Sequence, residues 1–177
     1  MPLRIQSRSQ KGFSLIELLI VVAIILVIAA IAIPNFLRAR IAANESSAAG
    51  SIRAIATSQI VYFNAYPNIG YAANLTDLGG AFPCTPSPTA ACLLDDAVAT
   101  AGPGSSGKAG YQFLNTGINH GGSMNSNFVT GGTPVVVEVT GNRNFCATDI
   151  QVLRMQPDGG GLPVTTLDEC AAYPLTP

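Results

Sequence analysis

The chain has 177 residues, 48% of them hydrophobic and only 11% charged, with a formal net charge of -1. Its nine Lys and Arg are scattered, not clustered, so no polyanion-binding signal is present and nucleic acid is not an expected partner. This length allows one globular domain beside a membrane helix.

Residues 1–12 carry Arg4, Arg8 and Lys11 and no acid. The positive-inside tendency keeps such a leader cytoplasmic and sends the rest across the membrane. Arg38 and Arg40 weaken that asymmetry, so the cysteines discussed below do more to fix the orientation. The next run, Phe13 to Ile33, is nearly all apolar and holds one formal charge, Glu17. A helix rising about 1.5 Å per residue needs roughly 20 residues to cross about 30 Å of hydrocarbon, and this run is long enough. A carboxylate in such a segment costs on the order of 2.5 to 3.5 kcal/mol, which makes it a functional candidate in need of a cation. No Lys or Arg lies within the run. The available cations are Lys11 or, after a cut before Phe13, a new amino terminus, including one on another subunit.

The segment Lys11-Gly12-Phe13-Ser14-Leu15-Ile16-Glu17, with its short basic leader and the apolar run behind it, resembles the class III signal of type IV pilins and of type II secretion pseudopilins. The resemblance implies that a prepilin peptidase cuts between Gly12 and Phe13, that Phe13 becomes an N-methylated terminus, and that Glu17 guides assembly. It also implies a proline-containing stretch around Pro34 that unwinds when subunits pack. Leu26 stands where many pilins have a helix-weakening glycine, which bears on the extent of that unwinding.

Three other readings compete for the same stretch. A secretory signal peptide fits the basic start and the small residues at Ala30-Ile31-Ala32, but its apolar core should be about 7 to 15 residues and uncharged. An ordinary single-span anchor fits the length and leaves Glu17 without a role. A buried helix of a soluble protein should keep a polar stripe, and none exists between Leu18 and Ile33.

Pro34 removes a backbone donor and crowds the preceding turn, which predicts a kink or local loosening. Two helices broken at Pro34 are the alternative. Beyond it Ile41, Ala48, Ile52, Ile55, Ala56, Ile60 and Phe63 recur at helical spacing, while Arg38, Arg40, Asn44, Glu45, Ser51 and Arg53 lie mostly on other faces. No strong stop precedes Pro67. One long helix over 13–66 is therefore expected, with 13–33 as transmembrane segment or filament core and 34–66 amphipathic. Its second half needs its own sheet to cover the stripe.

Residues 67–177, about 110 in number, can build a modest core as a globular head. From Tyr66 to Gly110 the chain reads as a linker with a short helical candidate at Leu75 to Leu78. The segments Tyr66-Pro67, Gly70-Tyr71 and Asn74 to Gly80 also resemble the loop that follows the long helix in many pilins and major pseudopilins. Strands are expected at Tyr111 to Asn115, Pro134 to Gly141, Arg143 to Thr148 and Ile150 to Gln156, each short and bounded by Gly, Asn or Asp. Glycine-rich Gly117 to Gly132 reads as the loop between the first two, and the turns predict an antiparallel meander. All four cysteines lie downstream of the membrane run, where an even number favours disulfides. Three pairings are open; local spacing favours Cys84 with Cys92 and Cys146 with Cys170. The spacing of a cysteine zinc site is absent.

Catalytic patterns fail on context. Gly102 to Lys108 imitates a phosphate loop but lacks the flanking strand, helix and hydroxyl. His120 sits alone in a Gly, Asn and Ser run, and Asp95-Asp96 and Asp168-Glu169 do not make a shaped calcium loop. Neither cofactor nor metal is expected, and the chain reads as no enzyme. In the resembling family, secretion pseudopilins carry an acidic calcium loop near the carboxyl end, so its sparse acids here favour a pilus subunit.

The combined expectation is an α+β, type IV pilin-like fold: a long membrane-spanning helix packed on a small antiparallel sheet. Its function would be that of a pilus subunit, with a major pseudopilin of type II secretion as the alternative and an anchored enzyme or receptor as a third. Expected partners are further copies of itself, the inner membrane, the prepilin peptidase and methyltransferase, and the pilus or secretion assembly machinery. Expected locations are the bacterial inner membrane before assembly and an extracellular pilus or periplasmic pseudopilus after it.

Overall fold

A computed structural model describes residues 12–175. The chain divides after Arg38 into two units. Most of the expected leader, residues 1–11, and the last two residues lie outside the described part.

The long helix α1 runs over Leu15–Ala65 and contains Pro34 without a break. The alternative of two separate helices is thereby overturned. Proline deletes one donor, here the one that would serve the Ala30 carbonyl, while the flanking turns keep theirs. One residue on, Asn35 Nδ2 donates to the Ile31 carbonyl at 3.1 Å. Among the described residues of the first unit none covers the apolar surface: Phe13 is 82% exposed, Ile24 55% and Ile33 58%. This part of α1 is long and apolar enough to cross a membrane.

In the second unit α1 buries Ala48, Ser51, Ile52, Ile55, Ala56, Ser58, Gln59 and Tyr62. The spacing of three and four residues is that of one helical face, and each large apolar side chain fully buried there contributes roughly 1.5 to 3 kcal/mol. Ile60, expected on the stripe, lies at its exposed edge, and Phe63 is half-buried against Tyr71, ring centroids 4.9 Å apart. The helix packs on a four-stranded antiparallel meander, β1 (Tyr111–Ile118), β2 (Asn127–Pro134), β3 (Asn144–Thr148) and β4 (Arg154–Gln156), in that spatial order. Phe113 and Phe128, fully buried, join Ile52, Ile55 and Tyr62 in the core.

Two strand assignments need correction. The structure puts β2 where a glycine-rich loop was expected, and of Pro134 to Gly141, expected as a strand, only Pro134 lies in one, as the end of β2, while the rest is a turn whose valines face outward. The reason lies in Gly131 and Gly132. A Cβ on Gly132 would sit 3.0 Å from the Phe113 ring and 3.3 Å from Ile52 Cδ1, and one on Gly131 would meet the Val164 backbone nitrogen at 2.8 Å. The strand is covered on both faces, so it needs residues without side chains where helix and strap approach it. The last strand is also shorter than expected, because Ile150 and Gln151 turn back over α1 and Gln151 Nε2 donates to the Ala56 carbonyl at 3.1 Å.

The Leu75–Leu78 candidate is a single 3-10 turn. Two short helices follow it in the chain, α2 (Asp96–Ala99) and α3 (Leu167–Ala171). Cys84 joins Cys92, and Cys146 on β3 joins Cys170 on α3, so the carboxyl-terminal strap is stapled to the sheet. Arg154 Nη1 reinforces the staple by donating to the carbonyls of Ala171 at 3.2 Å and Tyr173 at 3.0 Å.

Candidate assembly site

Gly12, Phe13 and Ser14 precede the first turn of α1, and Glu17 lies within that turn. An acid there faces the positive end of the helix dipole, a gain of about 0.3 to 1 kcal/mol. Among the described residues Glu17 has no hydrogen bond or ion pair, and its neighbours Leu15, Ile16, Leu18 and Leu19 are all more than half exposed. The site therefore consists of an unpaired carboxylate beside Phe13 at the start of an uncovered apolar helix. Pro34 lies further along the same helix in the first unit, and the two disulfides belong to the second unit.

The head holds its shape through polar contacts that periodicity did not reveal. Gln59 is fully buried on the core face of α1, and its side-chain amide pairs with the backbone of Ala72 in the manner of a strand. Nε2 donates to the Ala72 carbonyl at 3.1 Å and Oε1 accepts from the Ala72 nitrogen at 2.8 Å. Asn115 Nδ2 reaches the same carbonyl at 3.0 Å. Nearer the start of the unit, Asn44 Nδ2 donates to the Thr140 carbonyl at 2.9 Å, and Glu45 Oε1 accepts from the Asn142 nitrogen at 2.8 Å. Arg143 Nε stands 3.7 Å from Glu45 Oε2. These pairs fix the β2–β3 turn onto the helix. The only sequence signal for them was a polar residue, Gln59, at a position where the stripe demanded an apolar one.

Burial holds the Tyr111 phenol well above its ordinary range, and the Glu45 charge pushes it the same way. Burial likewise raises Tyr62, whose hydroxyl donates to the Pro88 carbonyl at 2.7 Å and so ties the Cys84–Cys92 loop to α1. In α3, Glu169 accepts from the nitrogens of Thr165 at 2.9 Å and Thr166 at 3.1 Å, which holds its carboxyl below the usual glutamate range. Two of the acids weighed as calcium ligands are helix-capping groups: Asp95 accepts from the Ala97 nitrogen, and Glu169 completes a capping box with Thr166. His120 is exposed on the loop between β1 and β2.

Comparison with known proteins falls on the same end of the molecule. Residues 7–33 match the family model described as the prokaryotic N-terminal methylation motif. The chain is 48% identical over 54 residues to the type IV major pilin protein PilA of Myxococcus xanthus, covering 30% of this chain and 24% of that protein. It is 62% identical over 39 residues to the type IV wide pilus major component PilA4 of Thermus thermophilus, covering 22% of this chain and 30% of that protein. The shared segment spans less than a third of either relative, and no solved structure matches. Residues 7–33 thus carry the methylation motif, and over part of its length the chain, with a long helix packed on an antiparallel sheet, is similar to type IV pilins.

Proposed function

We propose that this chain is the structural subunit of a type IV pilus. It is inserted in the inner membrane with its leader in the cytoplasm, cut between Gly12 and Phe13 by a prepilin peptidase, and N-methylated on Phe13. It is then moved by assembly machinery into a helical polymer of itself. The observation that carries this reading is the bare apolar half of α1 with one unpaired carboxylate at its start. Such a surface needs lipid or neighbouring copies of the same helix, and lipid alone leaves Glu17 without a counter-ion. In the polymer Glu17 pairs with the amino group of Phe13 on an adjacent copy. At 4 Å and an effective dielectric constant of about 20 that attraction is about 4 kcal/mol before desolvation is subtracted, and it also sets the register between subunits.

The role is structural, not catalytic. Both named relatives are pilus components, which favours a pilus over a secretion pseudopilus. Two disulfides in the head fit the oxidising side of the membrane. The test is Glu17→Ala in cells that make the protein. The reading expects a processed monomer that stays in the membrane and no sheared filaments, whereas filaments of normal number and length from this variant would refute the role of Glu17.

A further inference from the structure

The β2–β3 turn presents Val136 at 49% exposure, Val137 at 42% and Val139 at 60%, with Glu138 among them. Turns are ordinarily polar, and this one is not floppy. Thr140 Oγ1 both accepts from the Val136 nitrogen at 3.1 Å and donates to the Val136 carbonyl at 2.9 Å, and the Thr140 nitrogen donates to that carbonyl at 2.9 Å. Asn44 and Glu45 of α1 clamp the far side of the turn. Glu138 is held at φ 65°, in the left-handed region where a side chain other than glycine or asparagine is uncommon. Among the described residues its carboxylate has no hydrogen bond or ion pair. A rigid knuckle thus carries three outward valines around an unpaired anion.

The matching surface is on α1. Phe36 is 68% exposed and Leu37 51% exposed, and Arg40, also exposed, follows four and three residues later on the same helical face. Arg40 likewise has no partner among the described residues. We propose that the β2–β3 turn is a docking surface for α1 of a second copy, its valines packing on Phe36 and Leu37 while Glu138 pairs with Arg40. Charge selects this occupant: an apolar knuckle centred on a carboxylate suits an apolar helix face ending in a guanidinium, and is poorly suited to lipid tails or an anionic headgroup layer. The two patches are different surfaces of one chain, so the contact is heterologous and propagates into a filament instead of closing a dimer. The inference rests on the polymer reading above and adds to it the head's share of the contact.

The experiment uses the full chain in cells. A photo-crosslinking residue replaces Val139, and adducts are mapped by mass spectrometry in sheared filaments. The expected adduct joins position 139 to the segment of a second copy that contains Phe36. Glu138→Lys is expected to lower filament yield about tenfold, and adding Arg40→Glu to the same chain to restore it, since like charges across a contact repel and the swap re-pairs them. Glu138→Asn keeps a residue that tolerates the left-handed backbone, and it too should lower the yield. Adducts to lipid, to another protein, to a different part of a second copy, or none at all overturn the docking surface, as does a wild-type yield from Glu138→Lys. If filaments form but the adducts fall elsewhere, this contact alone fails. If the unmodified chain yields no filaments, the polymer reading fails with it.

Discussion

Replacing Gln59 by Leu tests the logic of the head most sharply, because the substitution keeps the helix and nearly the volume and removes only the amide. Gln59 is fully buried, and both of its hydrogen bonds to Ala72 disappear with that group. The two ends are not equivalent. The Ala72 carbonyl keeps Asn115 Nδ2 at 3.0 Å, so the cost there is one ordinary bond, about 1 kcal/mol. The Ala72 nitrogen, in a residue with no exposed surface, is left without its acceptor, and an orphaned buried donor costs about 1 to 3 kcal/mol. The expected destabilisation is therefore about 2 to 4 kcal/mol, despite the gain in apolar surface. For a head of this size that is a fall in melting temperature on the order of 10 to 20 °C. The chain has no tryptophan, so the assay is tyrosine fluorescence or near-ultraviolet circular dichroism of the full chain in detergent, both of which report on buried Tyr62 and Tyr111. A Gln59→Leu variant within about 0.5 kcal/mol of the parent would refute the claim that the side chain stands in for a missing strand.

Two further predictions concern the carboxyl-terminal strap. Serine at both Cys146 and Cys170 opens a closed loop with a sequence separation of 24, and should cost about 3 to 4 kcal/mol, seen as earlier proteolysis between Gly159 and Tyr173. Acid should loosen the same strap. Glu169 has its folded value lowered, so its contribution is present above the unfolded glutamate range and is lost as pH falls through the folded value. Protection of the Leu167–Ala171 amides against hydrogen exchange, taken relative to the intrinsic rate at each pH, should fall below about pH 4 in the parent, while Glu169→Gln should already be less protected at neutral pH and change little on acidification.

What could be read from the residues follows their physics. The long helix was legible because an uninterrupted apolar run and then a spaced stripe are both periodic signals, and Pro34 did not break it since a proline deletes one bond among many. The disulfide pairs were legible from short separations in the chain. Strand β2 was hidden because its Gly131 and Gly132 look like loop, although close packing on both faces is what requires them. Conversely, Val135 to Val139 imitate a strand and end on the surface, because the Asn44 and Glu45 hydrogen bonds curl the chain there. Those bonds join positions 96 and 97 residues apart, a separation at which no local pattern carries information. The amino-terminal site is the opposite case: its residues are contiguous, so Gly12, Phe13 and Glu17 stand together in the sequence as in the fold. Among the described residues nothing pairs with Glu17, so the described part of the chain displays no counter-ion for it.

The most direct test of the central claim is the intact mass and amino-terminal sequence of the protein recovered from sheared cell-surface material. A polymer-forming pilin subunit predicts a chain that begins at Phe13, carries one added methyl group on its amino nitrogen, and sediments as filaments. A monodisperse chain that still begins at Met1 would contradict processing, pairing and polymer together.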